Sequence, residues 1–201
     1  MYDIPENPVV SNVQVYGMAE AIAASKYPFA TDISSCSYAI TKTVKALAHA
    51  PKGSGEDNFL KGINVHFDLN FTNKAWVEIE RYHFIDIISS QSTMHCITKF
   101  DLKKQCNEYV DQRIIDILQE KVNAYNANPK SEEAFYEMMY NIPSGFRLTA
   151  RITTNYQQLK TIYSQRRYHR LKKDWGCFCD FIETLPLSYL ITGKDPDNAE
   201  G

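Results

Sequence analysis

Apolar residues occupy every second position in Ile63-Asn64-Val65-His66-Phe67-Asp68-Leu69-Asn70-Phe71, the pattern of a strand with one buried face. The same alternation, over a shorter run, marks Asn12-Val13-Gln14-Val15-Tyr16 as a strand, with Gly17 turning the chain into a helix through Ala24. A third alternating run, Phe146-Arg147-Leu148-Thr149-Ala150-Arg151-Ile152, follows the turn residues Pro143-Ser144-Gly145.

Between these runs the period lengthens to that of a helix. Thr41 to Ala50 places Val44, Leu47 and Ala48 on one face, and Pro51-Lys52-Gly53-Ser54-Gly55 breaks it with a loop. After the first long strand, Asn73 is the expected N-cap of a helix carrying Ala75, Trp76, Ile79, Tyr82 and His83. Lys103 to Asn126 reads as one long amphipathic helix, through Cys106, Val110, Ile114, Ile117, Leu118, Val122 and Tyr125. Asn126-Ala127-Asn128-Pro129 stops it, and Ser131-Glu132-Glu133 caps another helix to about Tyr140. Two more helices are predicted, about Tyr156–Tyr168 and Trp175–Leu190. These elements predict an N-terminal arm (1–11), a single domain (12–192) and a polar tail (193–201) in a chain of 201 residues.

Charge changes this picture only locally. The chain carries 22 Lys plus Arg against 24 Asp plus Glu, which excludes a uniformly basic nucleic-acid coat. No apolar run reaches the ~18–20 residues needed to span a bilayer, and a cytoplasmic location is expected. Five scattered cysteines predict reduced thiols; the Cys177-Phe178-Cys179 pair lacks the second pair that a structural zinc site needs, so no metal is expected. Against this background Arg151 to Lys173 stands out. It holds Arg151, Lys160, Arg166, Arg167, Arg170, Lys172 and Lys173 with no acidic residue. Such a run either grips phosphates, for which guanidinium offers a matching fork of donors, or faces solvent or acidic residues of a neighbouring subunit. Nucleic acid is disfavoured by the overall acidity and the lack of a binding motif.

A second cluster is Arg81-Tyr82-His83 followed by Ser89-Ser90-Gln91-Ser92-Thr93. The arginine and histidine suit a cofactor phosphate, and the hydroxyls with the Gln91 amide suit a heterocycle; equally, they suit a helix C-terminus followed by a turn. In order along the chain these pieces resemble the flavin-dependent thymidylate synthases. That family carries R-H-R and then a serine followed by x-R, on a helix reached from a strand. Here the strand is Val65–Leu69, the helix ends Arg81-Tyr82-His83, and Ser92-Thr93-Met94-His95 takes the serine position. The family's second pattern, a proline before a strand and then N-x-R-x-L with a later arginine, is similar to Pro143, Asn155-Tyr156-Gln157-Gln158-Leu159 and Arg166.

The resemblance implies an α/β (α+β) fold, a curved central sheet flanked by helices, assembled as a homotetramer with active sites between subunits. It implies FAD as cofactor, dUMP or another pyrimidine nucleotide as substrate, and methylenetetrahydrofolate and NADPH as co-substrates. Carried over by residue, Arg81, His83 and Asn155 would serve the flavin; Ser92, Gln91, Arg166 and Arg170 the nucleotide; and Arg166 and Ser92 the reaction itself. The sequence departs from the pattern at Tyr82, His83, Met94, Met139 and Gln157. A thioether cannot replace guanidinium at a phosphate. Two lost charge-assisted bonds at ~1.5–3 kcal/mol each predict dUMP binding at least ~tenfold weaker than in the family. Two functions follow: a divergent enzyme moving a one-carbon unit to C5 of a pyrimidine nucleotide, or a catalytically silent protein whose basic cluster holds a nucleotide, another phosphate-bearing ligand or an acidic protein.

Overall fold

The alternating run at 63–71 becomes a central strand because Val65, Phe67, Leu69 and Phe71 are fully buried while His66, Asp68 and Asn70 face the other way. The computed structural model describes residues 2, 4–51 and 53–194; Lys52 of the predicted loop and residues 195–201 of the predicted tail lie outside them. Among the described residues four strands, β1 (Val10–Tyr16), β2 (Asn64–Thr72), β3 (Asp86–Ser90) and β4 (Arg147–Asn155), form one open antiparallel sheet. Their order is β1-β2-β4-β3. The β2–β4 pair runs in continuous register from Asn64 opposite Asn155 to Thr72 opposite Arg147.

The helices are α1 (Met18–Ala24), α2 (Lys42–Ala48), α3 (Asn73–Ile79), α4 (Thr93–Cys96), α5 (Leu102–Gln105), α6 (Gln112–Ala127), α7 (Glu132–Tyr140), α8 (Tyr156–Arg166), α9 (Cys177–Thr184) and α10 (Tyr189–Thr192). Side chains from α1, α2, α8, α9 and α10 pack with the inward residues of β2 and β4 in the main core. Its centre is aromatic: Phe71 meets Trp76, Trp175 and Phe178 at ring separations of 5.2–5.9 Å. A smaller core gathers Leu102, Ile115, Leu118, Val122, Met138 and Phe146, and Leu148 packs against both. No helix is long and apolar enough to cross a membrane among the described residues.

Several boundaries differ from the sequence expectation, each for a physical reason. β1 starts at Val10, inside the predicted arm, and bulges between Ser11 and Gln14, where Asn12 takes a positive φ. Thr72, not Asn73, caps α3: its hydroxyl accepts the Ala75 N–H. α3 also stops at Ile79, so Arg81 and His83 lie beyond it. The predicted long helix is two, because Cys106 leaves helical geometry to bridge Phe146, Asn107 N donates to Gly145 O, and Asp111 caps α6 afresh. The last predicted helix divides at Leu185-Pro186-Leu187, where proline cannot continue the ladder and Leu187 has φ 52°. Its predicted start is a π-helical turn, Lys172–Gly176.

Gly17 shows how closely α1 is seated. Its φ is +73°, and a Cβ there would collide with the carbonyl oxygen of Gly62. Gly17→Ala is therefore expected to destabilise the fold by ~2 kcal/mol or more, lowering the thermal midpoint by ~4–8 °C; an unchanged midpoint would contradict this packing.

Candidate functional site

The site grows out of the end of β4. The chain passes from Asn155 into α8 without a loop, and Asn155 Oδ1 accepts the Gln158 N–H at 2.9 Å, an N-cap worth ~1 kcal/mol. Tyr156 N donates to Ile63 O at 3.0 Å, fixing the helix start against β2. Tyr156, Leu159, Ile162 and Tyr163 are buried in the core. The side of α8 that remains carries Gln157, Gln158, Thr161, Gln165 and Arg166, and these form the floor of a cleft of about 800 Å³.

One wall is the 3-10 segment Glu56–Gly62 with the glycine loop before it, contributing Asp57, Asn58 and Lys61; the other is the segment Arg81–Phe84. The first wall is tied to the floor: Lys160 Nζ lies 2.7 Å from Asp57 Oδ2, and Gln157 Nε2 donates to Asp57 Oδ1 at 2.8 Å. Burial raises the Asp57 pKa, but the bonds and charge of Lys160 with the Gln157 amide outweigh it, and the net shift is downward.

The second wall is tied by Glu78. Its Oε2 accepts from Arg166 Nη1 at 3.0 Å and from Trp175 Nε1 at 2.8 Å, and His169 Nε2 stands 3.4 Å away. Lys74 reaches the other oxygen at 3.3 Å. Burial pushes this carboxyl up, yet the Trp175 and Lys74 hydrogen bonds and the nearby His169 and Arg166 charges hold its pKa below the ordinary value. Arg166 is fixed further: its Nε donates to Tyr82 Oη at 2.9 Å, Tyr82 donates onward to Gln165 Oε1, and the guanidinium lies over the Trp175 ring at 4.5 Å. Its Nη2 has no protein hydrogen bond among the described residues.

Arg81, His83 and Arg166, from opposite ends of the sequence motifs, thus line one cleft. Arg81, His83 and Lys61 are exposed and form no ion pair or hydrogen bond among the described residues. Asn155 does not line the cleft; its side chain is spent on the helix cap. Nor do Gln91 and Ser92, which follow the edge strand β3: Gln91 Oε1 accepts the Thr149 N–H, and Ser92 precedes α4 without capping it through its side chain. Arg170 is exposed and outside the cleft.

The basic run divides in the same way. Arg151 pairs with Asp68, Lys160 with Asp57, Arg166 with Glu78 and Lys173 with Glu108, so four of its seven cations are neutralised within the chain. Burial raises the Cys179 thiol to about 12, an inert side chain. Among the described residues no group of three or more His, Cys, Asp or Glu is placed to hold a metal. Sequence reasoning passed over Glu78, Asp57, Lys61 and Gln158. The Lys74/Glu78 spacing of four on a helix was a weak signal for Glu78; the other three join the site only through folding.

No family model matches the sequence, and comparison with curated proteins finds no relative. Among solved structures the chain is similar to flavin dependent thymidylate synthase ThyX from Helicobacter pylori complexed with FAD and dUMP. The TM-score is 0.69 at 12% identity, over 92% of this chain and 99% of that one. A second structure of Thymidylate Synthase X from Helicobacter pylori with FAD and dUMP gives 0.69 at 14% identity, over 92% and 98%. At these identities the likeness is one of fold.

Because its folded pKa is depressed, Glu78 stabilises the protein above its unfolded value near ~4.3, and that contribution disappears as pH falls through the lower folded value. Glu78→Gln is expected to cost ~1.5–3 kcal/mol at pH 7, with the gap from wild type narrowing below about pH 4. Denaturant unfolding at both pH values checks this; a gap independent of pH would contradict the charged role of Glu78.

Proposed function

We propose that this chain is a divergent flavin-dependent thymidylate synthase-like protein that binds a phosphate-bearing nucleotide in the α8 cleft. One observation carries the reading. Arg166 on the cleft is held by an acidic partner, whereas Lys61, Arg81 and His83 are left open on the same cleft. Two unpaired cations, Lys61 and Arg81, with the His83 imidazole beside them around a polar floor, suit a phosphate monoester or pyrophosphate, with Arg81 supplying a planar fork of donors. The fold likeness supports the reading, since those two similar structures are complexed with FAD and dUMP.

A flavin nucleotide fits these residues: Arg81 and His83 would hold its phosphates, and the bound flavin would supply hydride chemistry. The reaction proposed is transfer of a one-carbon unit to C5 of a pyrimidine nucleotide, with methylenetetrahydrofolate and NADPH as co-substrates. The chain's own contribution is orientation and charge. Arg166, locked through Nε and Nη1, would offer Nη2 to negative charge on the pyrimidine. Gln91, Ser92 and Arg170 stand away from the cleft, and their proposed substrate contacts require the homotetramer that the resemblance implies. The exposed Phe84, just before β3, and Ile87 and Ile88 within it offer apolar surface for such a contact. Binding without catalysis is the second reading. Met94 and Met139 in place of family arginines, and Ser92 away from the cleft, favour it.

The visible absorbance of the purified protein, and calorimetry with FAD and dUMP, test the proposal. At least one nucleotide is expected to bind, and Arg81→Ala to weaken it ~tenfold or more. Affinity unchanged by Arg81→Ala, or no binding of either, would refute it. Methylene transfer by the loaded protein separates the enzyme from the silent binder.

A further inference from the structure

Gln158 is 7% exposed, yet it lines the cleft, and its Nε2 is buried with no hydrogen-bond partner. Its neighbours are satisfied. Gln157 Nε2 donates to Asp57 and Asn58, Thr161 Oγ1 to Gln157 O, and Gln165 Oε1 accepts from Tyr82. The backbone of Gln158 is pinned through the Asn155 cap. A buried amide donor without a partner is unfavourable, and such groups persist in folded proteins where something outside the chain satisfies them. The last side-chain torsion of glutamine is soft, so the amide can turn its nitrogen towards the cleft while the helix stays in place.

The surroundings define what it would meet. Gln158 lines the cleft among the side-chain amides of Gln157 and Gln165, and the open Lys61, Arg81 and His83 side chains lie at the exposed walls. We propose that Gln158 determines specificity by hydrogen-bonding the carbonyl of a –CO–NH– edge on a planar heterocycle, whose phosphate is held by Lys61, Arg81 and His83. This rests on the nucleotide-binding reading and adds to it the edge that is read. A primary amide matches such an edge with both its atoms: nitrogen donates to the carbonyl and oxygen accepts from the ring N–H. The same edge occurs in a uracil nucleotide and in the pyrimidine ring of a flavin, so the two ligands form separate arms of the test.

The experiment is Gln158→Met, which keeps the side chain's length and removes both hydrogen-bonding atoms. Affinities for dUMP and for FAD are measured beside wild type and Arg81→Ala, together with the ligand-free melting temperature. The ring seated at Gln158 is expected to bind ~tenfold or more weakly, in the dUMP arm for a uracil and in the FAD arm for a flavin. The ligand-free midpoint is expected to stay level or rise, since a buried unpaired donor has been removed. A lowered midpoint with affinities unchanged assigns Gln158 a packing role and overturns the proposal. Loss of binding in Arg81→Ala with none in Gln158→Met overturns it while leaving the nucleotide-binding reading intact. Failure of wild type to bind either ligand overturns both.

Discussion

The Glu78 carboxylate is the point on which the rest of the site depends. Arg166, Trp175 and His169 converge on one of its oxygens from α8 and from the π-helical turn and its approach, while Lys74 neutralises the other from within α3. The carboxylate is partly buried, and these donors replace the hydration it loses. The requirement works in both directions. Glu78 needs the donors to stay ionised, and Arg166, lying over Trp175, needs Glu78 to stay where it is. Because Arg166 in turn holds the Tyr82 hydroxyl, the same contact sets the wall that carries Arg81 and His83. Asp57 with Lys160 does the corresponding work on the opposite wall, and the cleft is held open between two internal ion pairs.

This arrangement separates cations that build the protein from cations that remain to bind something. The acid-free run of seven basic residues looks from sequence like a single patch, but acids distant in the chain neutralise four of them. The cations that remain open on the cleft, Lys61 and Arg81, come from outside that run. Anion recognition therefore depends on which charges the fold leaves unpaired more than on how many a segment contains.

The central strands were legible because their inward side is mostly apolar: one alternating period suffices when a core covers a single face. β3 was invisible for the opposite reason, since Asp86 to Ser90 is exposed along its whole length and shows no alternation. Helix breaks at Cys106 and Pro186 needed, respectively, a tertiary bridge to Phe146 and attention to one proline. Within the site, Arg81 and Arg166 could be picked out by side-chain chemistry and motif spacing. Asn155 could not be assigned that way, because an N-cap and a ligand contact call for the same residue type. Gln158 gave no sign at all: an unpaired amide is a property of its surroundings and has no signature in a single sequence.

The most direct measurement is a two-dimensional amide NMR titration of the isotopically labelled protein with FAD and with dUMP. Shifts clustered at Asn58 to Lys61, Arg81 to Phe84 and Gln157 to Arg166 are the expected result for at least one of the two. Saturable shifts confined to another surface, such as the exposed tyrosine face of α7, would contradict the assignment of the α8 cleft as the nucleotide site.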